Sequence, residues 1–386
     1  RSACVRGWLS RLPTKGVAAA LMLSAIPVCR RRVRQARRQS VVTVSAVGAN
    51  SRRISSSVPV FRFGVVADVQ YVDRDDAYNF SGSRLRRYRQ AKQLWEEAVQ
   101  WWKQEKVDFV AQLGDFIDGS NKGMGEQGAG REALMELLQP IEHGPPVLHL
   151  VGNHELYNFS REELEHGVQV PGVSTSFSIT APPGLEPDVE GVSYYSFSPC
   201  PGWRVCVLDP YDVSVLSRGG GRPGFELAPS ELEQQALAMC QSNNPNDITK
   251  EDFAKGLPDG PARRWVPFNG ALGKAQLQWL RSTLEKAGQA GEHTVLLSHV
   301  VLHPDATPSS NCLTLLWNYD EVLSILRSAP RPPVAVFCGH AHLGSGVVDE
   351  QAGTHHLTFA SPLEVPPDSD ACAIVEAFAD GTLQIR

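Results

Sequence analysis

The sequence predicts an α/β fold in which two mixed β-sheets lie between layers of helices. Short runs rich in β-branched and aromatic residues predict strands, and most are too apolar to leave one face in water, which is typical of central strands. Helical patterns separate these runs, and short strands follow near the C-terminus, an order that favours two sheets between helix layers. The predicted strands cover residues 60–67, 107–113, 147–151, 192–197, 204–208, 294–298, 334–338, 356–360, 372–377 and 382–385. The predicted helices cover residues 84–106, 131–139, 229–240, 274–287 and 319–327.

The first 67 residues differ in composition from the rest of the chain. They contain 13 Lys or Arg and neither Asp nor Glu, the first acidic residue being Asp68. An apolar run over residues 17–28, about 12 residues long, is shorter than the roughly 20 that a membrane-spanning helix needs. A basic, acid-free segment of this kind is typical of targeting sequences. We therefore expect residues 1–57 to be a transit peptide and disordered basic segment, and residues 58–386 to form one folded domain.

The segment after the arginine cluster at residues 30–38 is rich in Ser and Val. This composition resembles an organellar transit peptide and favours a chloroplast over a mitochondrion as the destination. A secretory signal is one alternative. The other is a disordered basic tail, which would leave the protein in the cytosol.

Beyond the leader the chain is strongly acidic. Of the 37 basic residues, 24 lie after residue 67, against 42 acidic residues, which gives a formal net charge of about −18. Because such a body repels a nucleic-acid backbone, we expect no nucleic-acid partner, and we expect no membrane partner either. Six cysteines are scattered through this region without a CxxC pair, which predicts reduced thiols in an intracellular compartment. The oligomeric state is left open.

Four polar motifs each begin where an apolar run stops. In open α/β sheets, ligands gather outside the carboxyl ends of the strands, so we expect the four motifs to form one shared site. The motifs are Asp68-Val69-Gln70, Gly114-Asp115-Phe116-Ile117-Asp118, Gly152-Asn153-His154-Glu155 and Gly339-His340-Ala341-His342.

The residue types in these motifs are those that bind divalent metal ions. Asp68 and Gln70 lie on the same side of an extended segment, because side chains alternate with period two, so both can reach one ion. Asp115 can bridge two cations with its two oxygens, and Asn153 supplies a neutral oxygen. Imidazoles come from His299, His340 and His342. This mixed set of oxygen and nitrogen donors, without a thiolate, predicts two divalent cations, with Mn²⁺ or Mg²⁺ favoured and Fe or Zn as alternatives.

Each motif alone also has a structural explanation. An Asp after a strand commonly caps a helix, Gly-Asp is a common turn, and Asn-His-Glu suits a solvated loop. The Gly-His-x-His motif directly after an apolar strand is a more specific signal of metal binding. Taken together in this order, the motifs favour metal binding over the structural explanations.

The order of motifs resembles that of the calcineurin-like metallophosphoesterase superfamily, D-x-H, GDxxD, GNH[DE], H and GHxH, except that Gln70 stands where the first His is usual. With this substitution, the chain is similar to the manganese-dependent ADP-ribose/CDP-alcohol diphosphatase group over residues 58–386. Stretches between the motifs also match that group, among them Asn79-Phe80, Tyr211 to Leu216, Phe268-Asn269-Gly270 and Trp317-Asn318-Tyr319. The resemblance implies a four-layer αββα sandwich and a catalytic domain at residues 58–386.

The resemblance also implies roles for individual residues. One metal ion would be held by Asp68, Gln70, Asp115 and His342, and the other by Asp115, Asn153, His299 and His340. Asp115 and His154 would be catalytic, His154 stabilising the phosphoryl charge or protonating the leaving group. Glu155 or Asp118 would orient imidazoles. Mn²⁺ would be favoured, because Gln70 replaces a nitrogen donor with a harder oxygen.

Substrate contacts are predicted from the same matching stretches. A nucleoside diphosphate offers a base for aromatic stacking and phosphates for pairing with arginine. Core packing is the alternative role for each aromatic residue. The candidates are Phe80, Tyr157, Asn158, Arg161, Trp317 and Tyr319. The arginines of residues 84–89 are interpreted as the solvated face of a helix, and residues 119–130 as a loop near the site.

The predicted activity is hydrolysis of the diphosphate bond of ADP-ribose or CDP-alcohols, giving a nucleoside monophosphate and a phosphorylated partner. The partner of the protein would then be a small nucleoside diphosphate compound. A phosphomonoesterase or protein phosphatase on the same scaffold is the alternative enzyme. A non-catalytic binding scaffold is the alternative outside enzymes, and retention of all seven ligand positions and of His154 argues against it.

Overall fold

A computed structural model of the chain describes residues 42–45, 58–79, 81–123, 129–216, 231–250 and 252–386. All of them belong to one compact unit, residues 41–386. Residues 1–41 and 46–57, most of the predicted leader, lie outside the described residues.

The described strands are β1 (Val42–Val44), β2 (Phe61–Val66), β3 (Ala77–Tyr78), β4 (Leu85–Arg86), β5 (Phe109–Gln112), β6 (Val147–His149), β7 (Tyr195–Phe197), β8 (Trp203–Val207), β9 (Val213–Ser214), β10 (Gly270–Ala271), β11 (His293–Ser298), β12 (Ala335–Cys338), β13 (Leu343–Asp349), β14 (Thr354–Ala360), β15 (Cys372–Ala377) and β16 (Leu383–Ile385). The described α-helices are α1 (Tyr88–Glu105), α2 (Ala129–Leu138), α3 (Asn153–Asn158), α4 (Arg161–His166), α5 (Glu231–Asn243), α6 (Lys274–Gln289) and α7 (Tyr319–Ser328).

Two six-stranded mixed sheets form the centre of the fold. The first has the order β1-β16-β15-β2-β5-β6, in which β2, β5 and β6 are parallel and the other three strands pair antiparallel. The second has the order β13-β14-β12-β11-β8-β7, with four parallel central strands and an antiparallel strand at each edge. The two predicted mixed sheets are therefore confirmed.

A hydrophobic core lies between the sheets. Side chains from strands of both sheets, such as Phe63, Phe109, Val205 and Phe337, are buried together there. Because neighbouring side chains of a strand point to opposite faces, Val66 and Val110 instead join a second core under the helices. Helix α1 packs on the first sheet, with α2 beside it, and α6 packs on the second, with α7 beside it. The layer order is thus helix, sheet, sheet, helix, as the resemblance implies.

The hairpin of β3 and β4 corrects one predicted boundary. Residues 84–106 were expected to form one helix, but Leu85 and Arg86 are strand residues, and α1 begins only at Tyr88. Strand β13 and the short helices α3 and α4 were not predicted. The six described cysteines form no disulfide with one another. No helix among the described residues is both long enough and apolar enough to cross a membrane.

Candidate metal centre

The four motifs meet where the carboxyl ends of both sheets come together. Asp68 and Gln70 follow β2, Asp115 follows β5, and Asn153 begins α3 after β6. From the second sheet, His299 directly follows β11, while His340 and His342 follow β12. A hydrogen bond joins the two sheets here, because Asp68 Oδ2 accepts from the backbone nitrogen of His340 at 2.8 Å. All seven predicted ligands are buried.

Four of these residues have a backbone conformation that is unfavourable for any residue with a side chain. The φ angles of Asp68, Gln70, Asp115 and His340 are 53°, 43°, 56° and 66°. A residue of this kind in the left-handed region costs about 1–3 kcal/mol, and such strain is concentrated at functional sites. The surrounding hydrogen bonds hold the strained segment, since Asp68 N donates to Gly114 O at 3.1 Å and Gln70 N donates to Asp115 O at 2.8 Å.

His299 and His340 each direct one ring nitrogen towards the other. His299 Nδ1 lies 2.7 Å from Leu113 O, and His340 Nε2 lies 2.9 Å from Asn269 Oδ1, so both outer nitrogens carry the proton and donate. The inner nitrogens, His299 Nε2 and His340 Nδ1, are 3.1 Å apart. Ligand atoms of Asp115, His299 and His340 all lie within 4.8 Å of one another, a spacing that suits one cation.

The other half of the site is built around Asp68, Gln70 and His342. His342 Nε2 lies 3.4 Å from Asp68 Oδ1 and 3.0 Å from Gln70 Nε2. Gln70 Nε2 also donates to Asp115 Oδ2 at 2.9 Å, so this amide connects the two halves. Asp68 Oδ1 and Gln70 Oε1 are buried without a hydrogen-bond partner among the described residues. Because a buried oxygen without a partner is costly, these two atoms fit a role as ligands of a cation.

Asn153 is held between two tyrosines. Its Nδ2 donates to Tyr157 Oη at 3.3 Å, and its Oδ1 accepts from Tyr211 Oη at 3.2 Å. These contacts fix the orientation of the amide. Tyr157 was expected to bind substrate, whereas here its ring packs edge-on against His154, with centroids 5.2 Å apart.

Glu155 organises the turn that carries Asp115. Its carboxylate accepts from Asp115 N and Gly152 N, both at 2.8 Å, and from Phe116 N at 2.6 Å. It therefore holds backbone groups, where the prediction was that it would orient an imidazole. Gly152 is needed at this turn, because a Cβ there would lie 2.1 Å from Asp115 Oδ1.

The predicted catalytic histidine, His154, lies beside both aspartates of the second motif. Its Nδ1 accepts from Gly119 N at 2.7 Å, so in the neutral ring the proton is on Nε2, which is 3.9 Å from Asp115 Oδ2. Asp118 Oδ2 is 3.6 Å from Nδ1, too far for a hydrogen bond to the imidazole. The backbone of Gly119 therefore sets the tautomer.

Charges in the cluster shift the pKa of several groups. Burial alone would raise the pKa of Asp115, but His299 and His154 hold it below its usual range. Burial alone would lower the pKa of His299, but Asp115 raises it to about 9. Burial, with the neighbouring His299, lowers the pKa of His340 well below its usual value. The protons are thus distributed unequally over neighbouring imidazoles.

Two predicted substrate residues are part of the folded core instead. Arg161 is buried and forms a bidentate ion pair with Asp209, at 2.5 and 3.2 Å, and donates to Tyr211 O at 2.9 Å. Trp317 has no exposed surface and packs against Trp265 in a separate apolar cluster. In this structure, therefore, neither side chain is free to contact a ligand.

The remaining substrate candidates differ in position. Asn158 Nδ2 donates to His154 O at 2.8 Å and to Asp118 O at 3.1 Å, so it holds the loops of the site. Tyr319 lies at the start of α7. The guanidinium carbon of Arg264 lies over the Tyr319 ring, 5.2 Å from the ring centroid. Phe80 lies outside the described residues.

Three residues that contact the predicted ligands were not assigned a role from the sequence. Asn269 and Tyr211 contact His340 and Asn153 as described above, and Glu364 Oε1 lies 2.7 Å from His342 Nδ1. Asn269 and Tyr211 lie in stretches that match the resembling group, which was the available signal. Nothing in the sequence around Glu364 distinguishes it from other acidic residues.

This combination of fold and site is found in a known family. The chain belongs to the calcineurin-like phosphoesterase family, whose model matches residues 61–344. Relatives named manganese-dependent ADP-ribose/CDP-alcohol diphosphatase include one from Xenopus tropicalis, 34% identical over 329 residues, covering 83% of this chain and 90% of the relative. Another, from Oryza sativa, is 34% identical over 352 residues, covering 89% and 95%.

A solved structure of a dimetal phosphatase is also similar to this chain. The fold is similar to that of a dimetal phosphatase from Danio rerio, with a TM-score of 0.69 and 33% identity, covering 83% of this chain and 94% of that one. The similarity therefore extends over nearly the whole of these relatives.

Proposed function

We propose that this protein is a manganese-dependent hydrolase that cleaves the diphosphate bond of ADP-ribose and of CDP-alcohols such as CDP-choline. The products are a nucleoside monophosphate and a phosphorylated partner. The observation that carries the proposal is the convergence of seven buried donor groups from both sheets, three of them imidazoles whose outer nitrogens are already paired. The names of relatives that match about nine-tenths of their length support the substrate class.

We assign the donors to two cations. One cation would be held by Asp68, Gln70, Asp115 and His342, and the other by Asp115, Asn153, His299 and His340. Two observations fit this assignment: Asp68 Oδ1 and Gln70 Oε1 have no hydrogen-bond partner among the described residues, and ring nitrogens of His299 and His340 face each other. Two such cations, when bound, supply Lewis acidity and lower the pKa of a water that can attack phosphorus.

The side chains of the protein perform the remaining steps. Asp115, between the two groups of donors, fixes their relative position. His154, whose Nε2 lies 3.9 Å from Asp115 Oδ2, is placed to donate to the phosphoryl oxygens or to protonate the leaving group. Gly119 N holds the tautomer that this role requires, and Glu155 holds the turn that carries Asp115.

A substrate panel tests the proposal. Release of AMP from ADP-ribose and of CMP from CDP-choline is measured with Mn²⁺ and with Mg²⁺, beside p-nitrophenyl phosphate and a phosphopeptide. We expect both nucleotide compounds to be cleaved with Mn²⁺ far faster than either monoester. A preference for monoesters would assign the protein to the phosphatases, and no turnover of any of the four would favour a binding scaffold.

Residues 1–57 are proposed to direct the protein to a chloroplast. The support is their excess of arginine and their lack of acidic residues. A fluorescent protein fused behind residues 1–57 should enter plastids, whereas a fusion in which the arginines of residues 30–38 are replaced by glutamate should not. Entry into mitochondria, or retention of the first fusion in the cytosol, would contradict the proposal.

A further inference from the structure

The loop that follows β14 brings a buried carboxylate to one of the proposed ligands. Glu364 Oε1 lies 2.7 Å from His342 Nδ1, and only 1% of the Glu364 side chain is exposed. The loop itself is tied to the site, since Ser361 N donates to His342 O at 2.9 Å and Ser361 Oγ donates to Asp68 O at 2.7 Å. The carboxylate thus has a fixed position relative to two donors of the same proposed cation.

Two arginines of the β3–β4 hairpin region hold the other sides of this carboxylate. Arg84 Nε is 2.8 Å from Glu364 Oε2, and Arg86 Nε donates to Glu364 Oε1 at 3.2 Å. A buried carboxylate is costly unless it is paired and hydrogen-bonded, and these two side chains supply the pairing. Their interpretation as a solvated helix face is therefore wrong for Arg84 and Arg86.

Arg86 also reaches the other side of the site. Its Nη1 is 3.8 Å from Asp118 Oδ2, and that oxygen is 3.6 Å from His154 Nδ1. One guanidinium thus lies between the carboxylate that contacts a proposed metal ligand and the carboxylate beside the proposed catalytic histidine. Arg89, in the same run, instead pairs with the exposed Asp73 and Asp75, both at 2.7 Å.

We propose that Glu364 is a positioning residue that fixes His342 for metal binding, and that Arg86 positions Glu364 and Asp118 together. This inference rests on the proposed function, in which His342 is a ligand. A ligand histidine that donates its outer N–H to a carboxylate is fixed in tautomer and ring orientation, and its inner nitrogen becomes more basic. Loss of such a partner costs about 10–100-fold in metal affinity.

The first test measures binding of Mn²⁺ alone, without substrate, by calorimetry on the metal-stripped full chain. Glu364→Gln keeps the size of the side chain but removes the charge. We expect the affinity for one of the two cations to fall by about 10–100-fold while the affinity for the other is unchanged. If Glu364→Gln does not fold, Glu364→Asp provides the same comparison, because its shorter side chain keeps the charge but moves it away from His342.

The second test concerns Arg86. Arg86→Lys keeps the charge but loses the planar fork that contacts both carboxylates. We expect weaker Mn²⁺ binding and a lower kcat on ADP-ribose, with KM unchanged. Arg89→Lys is the matched control, and we expect it to leave all three quantities unchanged. If Arg86→Lys raises KM alone, with Mn²⁺ affinity and kcat unchanged, Arg86 binds substrate and the inference is wrong for this residue.

His342→Ala separates this inference from the proposed function. If His342→Ala binds both cations as tightly as the unmodified protein, the ligand assignment itself is wrong. If His342→Ala loses one cation but Glu364→Gln binds Mn²⁺ normally, the ligand assignment stands and Glu364 is not a positioning residue. Loss of the same cation in both variants, complete in the first and partial in the second, supports the inference.

Discussion

Asp115 has the most contacts to other proposed ligands and to the catalytic residue. Its Oδ2 accepts from Gln70 Nε2 at 2.9 Å and lies 3.5 Å from His299 Nε2, while its Oδ1 accepts from His154 N at 2.8 Å. Both proposed cations therefore depend on a single carboxylate. Asn153 and Gln70, the two amide donors, carry no charge that could replace it.

We predict that Asp115→Asn loses both cations and turnover. The amide keeps the shape of the side chain but removes the negative charge that two neighbouring cations require. Metal analysis of the purified variant and an ADP-ribose assay measure the two effects. Asp73→Asn, at an exposed aspartate that pairs with Arg89, is the control and should retain both cations and the activity. Two cations per chain with activity in Asp115→Asn would contradict the assignment.

His154 is predicted to act on the transition state and not on the cations. His154→Ala should therefore lower kcat by about 10²–10⁴-fold, the usual contribution of a general acid or base, with Mn²⁺ content unchanged. His166→Ala, at an exposed histidine of α4, is the control. A loss smaller than about tenfold would place His154 outside the catalytic group.

Arg161 is predicted to stabilise the fold and not to bind substrate. Arg161→Ala leaves the buried Asp209 without its partner, and breaking a buried ion pair from one side typically costs about 3–5 kcal/mol. Chemical denaturation measures this loss. Arg131→Ala, which removes a partly exposed pair with Glu163, should cost at most about 1 kcal/mol. A stable Arg161→Ala protein with a raised KM would restore the original substrate prediction.

At the level of elements, the start of α3 determines how closely two motifs approach. Gly152 precedes α3 with φ −111° and ψ 174°, angles that alanine adopts without strain, so an added methyl acts only by its volume. That methyl would lie 2.1 Å from Asp115 Oδ1 and 2.5 Å from Asp115 N. The backbone nitrogen cannot move aside as a flexible side chain can.

We predict that Gly152→Ala displaces Asp115 and lowers the Mn²⁺ affinity of both proposed cations. Gly273→Ala is a matched control, because Gly273 also precedes a helix, has φ −71° and ψ 166°, and would bring its methyl 2.6 Å from Asp212 Oδ2. There the nearest atom is a side-chain oxygen away from the proposed ligands. Calorimetry should show a lower Mn²⁺ affinity for Gly152→Ala but not for Gly273→Ala. Equal Mn²⁺ affinities of the two variants would contradict the prediction.

Elements with strong local signals could be predicted from the sequence. Apolar β-branched runs predicted β2, β5 and β11, and the motifs that follow them predicted which side chains converge. The β3–β4 hairpin could not be predicted, because its two-residue strands have no periodicity of their own and the arginines around them look like a helix face. Their partner, Glu364, is about 280 residues away in sequence, and pairing over that distance leaves no local pattern.

The same limit applies to two of the predicted substrate residues. The position of Arg161 shortly after the Gly152-Asn153-His154-Glu155 motif suggested phosphate binding. Its partner Asp209, however, lies just after β8, in the other sheet. Trp317 likewise lies in a matching stretch, yet tertiary packing places it in a core with Trp265. Local sequence indicates the residue type a site needs, and burial decides whether that residue is available.

At the scale of the whole molecule, strand β1 connects part of the predicted leader to the folded body. Val42–Val44 pairs antiparallel with β16, and Val44 is 1% exposed in the core between the sheets. Burial lowers the pKa of His355 in β14, and a hydrogen bond to the Ser45 backbone opposes this shift, so this segment also contacts the second sheet. Residues 42–45 therefore contact both sheets.

We predict that a chain beginning at residue 39 is more stable than one beginning at residue 58, the predicted domain start. Removing β1 uncovers the edge of β16 and takes the Val44 side chain out of the core, which for a buried valine is worth about 1.5–3 kcal/mol. Urea denaturation of the two chains measures the difference. In the longer chain, Val44→Ser should reproduce much of the loss, whereas Val42→Ser, at a side chain that is 50% exposed, should not. If the two chains are equally stable, β1 is not part of the sheet in solution. If the longer chain is more stable, removal of the basic leader before Val42 preserves the sheet, and the domain begins about 16 residues earlier than the composition alone suggests.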